Sequence, residues 1–135
     1  MATHAVSVPA RQSLLTRVLA VNFSIVGVVG LVFTLGADQL STLLGPSSLM
    51  IRGMGIVFLC CAAIHAWASA RGLISRRYGL AIAVLDADWA VVSILALALG
   101  WLPLTSAGWW FVALQADVVV MFAALQFYAA WRMRK

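Results

Sequence analysis

Glutamate does not occur in this chain of 135 residues; its four acidic residues are all aspartate, and only 10% of the sequence is charged. Ordinary soluble domains carry about 25%. So few charges cannot cover a solvated surface, and the 64% hydrophobic content points to an integral membrane protein. Cysteine is as scarce: Cys60 and Cys61 are adjacent within an apolar run, a spacing that fits neither a structural zinc site nor a CxxC redox pair. Histidine occurs twice, and only His65 falls in a hydrophobic stretch, which excludes a single-chain bundle with four axial haem ligands. There is no Gly-rich phosphate loop, no HExxH and no Ser/His/Asp order with turn chemistry. The chain therefore reads as non-enzymatic, with no catalytic residue, cofactor or metal expected.

The formal charge of +5 is not gathered on one face. Arg11 and Arg17, then Arg71, Arg76 and Arg77, then Arg132, Arg134 and Lys135 flank apolar runs, and Arg52 stands apart. Such placement is a topology signal, and no nucleic-acid partner is expected. The runs predict four spans, at about 14–36, 49–70, 79–100 and 109–131, in a single domain covering 1–135. The basic N-terminus, middle loop and C-terminus should face the cytosol of a bacterial inner membrane. Met1 to Gln12 reads as a disordered lead-in, and the run behind it is longer than a signal-peptide core of about 7–15 residues. Between the first two spans, Leu40, Leu43 and Leu44 recur at helical spacing before Gly45-Pro46, predicting a turn or two of interfacial helix. Ser47 or Ser48 should cap the second span. The expected fold is all-α, an antiparallel four-helix transmembrane bundle with short loops and that brief interfacial helix. Gly27, Gly30, Gly53, Gly55 and the many alanines should let its helices approach.

The third span carries Asp86-Ala87-Asp88-Trp89. A central Asp costs about 2.5–3.5 kcal/mol on an insertion scale, and each Leu, Ile or Val returns about 0.3–0.6. Ten such residues lie between Gly79 and Gly100, and together they return roughly 3–6 kcal/mol against roughly 5–7 for the two acids. That helix is marginal alone and needs shelter from its neighbours, which makes it the place to look for function. At about 1.5 Å of rise per residue, Asn22, His65, Asp86 and Gln126 all fall at one depth, one from each span. Asp86 and His65 form the natural pair, with Asn22 and Gln126 completing the hydrogen bonding. The layer either binds a small polar ligand or handles protons, or it only sets helix register.

Asp88 points about 200° away from Asp86 on a helical wheel, and Asp117 lies nearly opposite Gln115 and Gln126. One bundle axis cannot receive them all. Asp88, Asp117, Gln115 and Arg52 therefore form a secondary polar set, read as a homo-oligomer interface or as groups reached by water, with Arg52 and Asp117 within reach of a pair. Laid side by side at an offset of 61, the second and fourth spans place His65 opposite Gln126. At an offset of 64 the first and third place Asn22 opposite Asp86, the pattern of a parallel repeat.

Met50, Met54, Cys61 and His65 share one helical stripe. Soft ligands in a line suit Cu(I), and Met-x-x-x-Met is similar to the methionine pair of the copper-transporter family, whose three-helix layout this chain does not share. Ordinary packing accounts for the same residues. The small drug-exporter family is similar in length and span number, but its first-span glutamate has no counterpart here. Leu44-Gly45-Pro46 after a short Leu-rich turn, Trp89 four residues before Ser93, and Leu125-Gln126 near the end resemble the small uncharacterised four-helix inner-membrane proteins of bacteria. That resemblance implies the fold and no activity. Two functions stay open: an oligomeric transporter- or channel-like membrane protein built on the polar layer, or an accessory subunit whose polar residues pair helices within a larger membrane complex. The partners expected are the lipid bilayer and a second copy or a larger membrane protein.

Overall fold

The computed structural model describes residues 10–133, with side chains from Leu14 onward. These residues form five helices and no strand: α1 Ala10–Leu35, α2 Ala37–Leu44, α3 Ser48–Ala70, α4 Arg76–Ala98 and α5 Ser106–Arg132. Four of them are long and apolar enough to cross a membrane, and only 17–22% of each apolar window is buried inside the chain. α1 begins inside the stretch read as a lead-in; the rest of that stretch, residues 1–9, and the charges of Arg134 and Lys135 lie outside the described residues.

Capping chemistry sets the helix starts. Ser47 Oγ accepts from the Met50 amide at 3.3 Å, as expected for α3. Ser75 Oγ accepts from the Tyr78 amide at 3.2 Å, and Thr105 Oγ1 from the Gly108 amide at 3.0 Å. These last two caps start α4 and α5 three residues before the apolar runs do, because a hydroxyl that satisfies an orphan N–H is a stronger start signal than the first apolar residue. Arg76 and Arg77 consequently sit in the first turn of α4.

The most extensive packing is between α1 and α3 and between α4 and α5, with α1 against α5 joining the two pairs. α3 and α4 share no extended face among the described residues. At the end where the basic residues gather, Leu15, Leu19, Ala68, Ile74, Ala129 and Ala130 form one buried cluster. At the opposite end Phe33, Ala37 and Ile51 form another. Gly30 and Gly55 bring α1 and α3 together: a Cβ on Gly55 would stand 2.6 Å from the Thr34 amide nitrogen and 2.8 Å from the Gly30 carbonyl oxygen. Small residues at such a crossing replace side-chain bulk with backbone contact. Gly53, expected to do the same, has nothing within 4 Å of a Cβ and is no packing position.

The chain bends at Gly36 into α2, whose Ala37 and Leu44 are buried and whose Leu43 is exposed. The end of α2 is tied to the start of α5. The Thr105 amide donates to the Leu44 carbonyl at 3.0 Å, and the Thr105 hydroxyl donates to the Leu43 carbonyl. Gly45, at φ 108°, turns the chain here, where a Cβ would run into the Pro103 carbonyl oxygen.

Candidate functional site

Asp86 is where three helices converge. The Asn22 amide from α1 and the Gln126 amide from α5 each donate to Asp86 Oδ2 at 2.8 Å. Asn22 is 5% exposed and Gln126 0%, while Asp86 keeps part of its surface accessible. Hydrogen bonds to a carboxylate are short and about twice as strong as neutral ones, and away from water they satisfy polar groups that would otherwise be costly. The layer thus assembles from Asn22, Asp86 and Gln126, three of the four residues expected in it.

The fourth is placed differently. His65 is buried, but its Nδ1 shares a 3.0 Å hydrogen bond with the Tyr78 hydroxyl, and its ring stacks on Phe23 with centroids 4.1 Å apart and planes 8° apart. The expected His65–Asp86 pair is not formed. Helix packing explains it: α3 does not run along α4, and His65 meets α4 near its first turn, at Tyr78. Tyr78, two residues into α4, is thus the polar partner of the imidazole.

A second polar chain joins α4 to α5 further along. The Trp89 indole donates to Gln115 Oε1 at 3.2 Å, Gln115 Nε2 donates to Ser93 Oγ at 2.9 Å, and Ser93 Oγ donates to the Trp89 carbonyl at 2.8 Å. Around it Phe33 contacts Phe58 and Phe111, and Phe58 meets Trp89 edge-on at 5.7 Å. Gln115 therefore points into the chain's own packing and leaves the secondary set assigned to it. Trp89 and Ser93 are spaced i, i+4 on one face of α4, which lets one Gln115 amide bond both.

The rest of that secondary set does not come together either. Arg52 pairs with Asp38 of α2 at 3.2 Å, with 47% and 72% of the two side chains exposed, and not with Asp117. The nearer acid, in the helix that docks on α3, wins over the more distant one. Asp88 and Asp117 are exposed on the outside of α4 and α5 with no partner among the described residues. Asp117 borders a recess of about 330 Å³ lined by Ile94, Leu97, Ala98, Trp109, Ala113 and Ala116.

The soft-ligand stripe does not converge. Cys61 is exposed, His65 is committed to Tyr78, and no group of three or more His, Cys, Asp or Glu side chains able to hold a metal occurs among the described residues. At the basic end Arg71 lies over the Trp67 ring at 5.7 Å and Arg132 over the Tyr128 ring at 5.5 Å, a cation–π arrangement.

The fold and the layer define a small helical protein with four apolar helices and a polar knot between three of them. No protein-family model matches the chain, and no curated protein and no solved structure matches it.

Proposed function

We propose that the four long helices cross a bacterial inner membrane as an antiparallel bundle with both termini in the cytosol and α2 in the outer interface. In this reading the protein is non-enzymatic and transporter- or channel-like, and the Asn22–Asp86–Gln126 layer binds a small polar ligand or handles protons. Membrane placement is supported by apolar surface such as Val28, Ile64, Leu85 and Trp110, each more than 60% exposed. Soluble monomers rarely show such surface in large continuous patches. The orientation is supported by the basic residues at one end of the molecule.

The observation that carries the functional reading is the double donation to Asp86 Oδ2. Ionisable groups within a membrane are costly, and they mark ligand or ion pathways when they face a bundle interior. The test is proton-coupled flux in proteoliposomes. Asp86→Asn should abolish the signal while the purified variant stays folded; equal flux from both proteins would remove the reading.

A second reading is favoured by the exposed Asp88 and Asp117. Carboxylates on the lipid side of a span call for another protein surface, which is a second copy in the first reading and a larger membrane complex in this one. In the second reading the chain is an accessory subunit and the layer serves only helix pairing. Recovery of a larger membrane protein at fixed ratio in gentle detergent supports that reading, and self-association alone argues against it.

A further inference from the structure

We propose that the layer takes a small ammonium-type cation, a positively charged group carrying N–H donors, held between Gln126 Oε1 and the Asp86 carboxylate. This rests on the reading of the layer as a ligand site.

The first observation is an orphan. Gln126 is 0% exposed, and its Oε1 is buried without a hydrogen-bond partner. The orientation of an amide is assigned from its bonding network, and here the network decides it. Turning the amide round would set an oxygen against the Asp86 carboxylate and leave Nε2 as the orphan in place of Oε1. With Nε2 committed to Asp86 Oδ2 at 2.8 Å, the vacant valence on Gln126 is an acceptor. Burying an acceptor without a donor costs about 1–3 kcal/mol, so the site calls for a donor.

The second observation concerns the acid. Both of its donors fall on Oδ2, and Oδ1 has no donor among the described residues. Both donors are also neutral amides. The one imidazole at this depth is engaged with Tyr78, so the carboxylate has no cationic partner among the described residues. What the layer lacks is a positive charge together with hydrogen-bond donors.

Coordination number separates an ammonium from a metal ion. Gln126 Oε1 and Asp86 Oδ1 are two oxygens without a donor among the described residues, whereas Ca²⁺ takes about 6–8 oxygen ligands and Mg²⁺ demands near-octahedral geometry. A primary ammonium has three N–H donors, enough for both oxygens. Gln126 Oε1 is closed to solvent, so a cation must part the packing around it to bind, which only a small one can do. Recesses of about 310 Å³ and about 330 Å³ border Trp109 near the opposite end of α5 and include no residue of the layer.

Equilibrium dialysis of the full-length protein in lipid nanodiscs against radiolabelled methylammonium tests this. Saturable binding is expected, undiminished by about a hundredfold excess of tetramethylammonium, which has the same charge and no N–H, or of Na⁺. Gln126→Leu should weaken binding about tenfold, the equivalent of one hydrogen bond to a charged group, and Asp86→Asn should abolish it. No saturable binding, or displacement by tetramethylammonium or Na⁺, overturns the proposal, and the competition in unaltered protein decides this even if a variant fails to fold. Loss of proton-coupled flux in Asp86→Asn without methylammonium binding would refute the cation class and leave the ligand layer standing. Unchanged flux together with absent binding would refute both.

Discussion

If Asn22 and Gln126 both act through one carboxylate oxygen, their energies must be coupled to Asp86 in a way that can be measured. The perturbation is a pair of double-mutant cycles, Asn22→Ala with Asp86→Ala and Gln126→Ala with Asp86→Ala. Each amide donates at 2.8 Å, and a hydrogen bond to a charged group contributes about 1.5–3 kcal/mol in soluble proteins. Interhelical polar contacts in membranes average about 0.6 kcal/mol, with a maximum near 1.7, because the inserted but unpacked helices also find partners. The two ranges bracket a coupling of about 1–2 kcal/mol for each amide, a factor of about 5–30 in the equilibrium constant. Reversible unfolding in mixed micelles gives the four stabilities of each cycle. Asn22→Ala with Gln115→Ala is the control, since Gln115 bonds Trp89 and Ser93 and shares no partner with Asn22; that pair should add within about 0.5 kcal/mol. Coupling to Asp86 no larger than in the control would refute the layer as a bonded unit.

Two glycines should respond in opposite directions. Gly55→Ala drives a Cβ to 2.8 Å from the Gly30 carbonyl oxygen and should cost about 1–3 kcal/mol by overpacking. Gly53→Ala meets nothing within 4 Å and should gain up to about 1 kcal/mol of helix propensity; the same unfolding assay reads both, and equal effects would contradict the α1–α3 crossing. Thr105→Val removes the cap on the Gly108 amide and the bond to the Leu43 carbonyl. A loss of about 2 kcal/mol is expected from the cap and the bond together, along with faster amide exchange at the end of α2; unchanged exchange there would show that α2 is not held by Thr105.

Much of this architecture can be read from periodicity and composition. The four long helices, the short one after the first, and the Ser47 cap all follow from apolar runs, Leu spacing and a hydroxyl in the right place. Asn22, Asp86 and Gln126 are legible as a layer because rise per residue fixes depth along each helix. Depth does not fix which helices are neighbours. His65 lies near Asp86 in depth and still finds Tyr78, because α3 packs on α1 and not along α4. Arg52 finds Asp38 for a related reason: that acid lies at the start of α2, outside the long helices whose rise fixes depth. The starts of α4 and α5 were there to be read in Ser75 and Thr105, but polar caps beside long apolar runs are easily assigned to loops. Gly53 and Gly55 are two residues apart, about 200° around the helix, so only one of them can face α1.

The most direct measurement is the distance from the Asp86 side-chain carboxyl carbon to labelled side-chain nitrogens, by solid-state NMR of the protein in lipid bilayers. Dipolar contact with both Asn22 Nδ2 and Gln126 Nε2, and none with the His65 ring, is expected. Contact with the imidazole and with neither amide would contradict it.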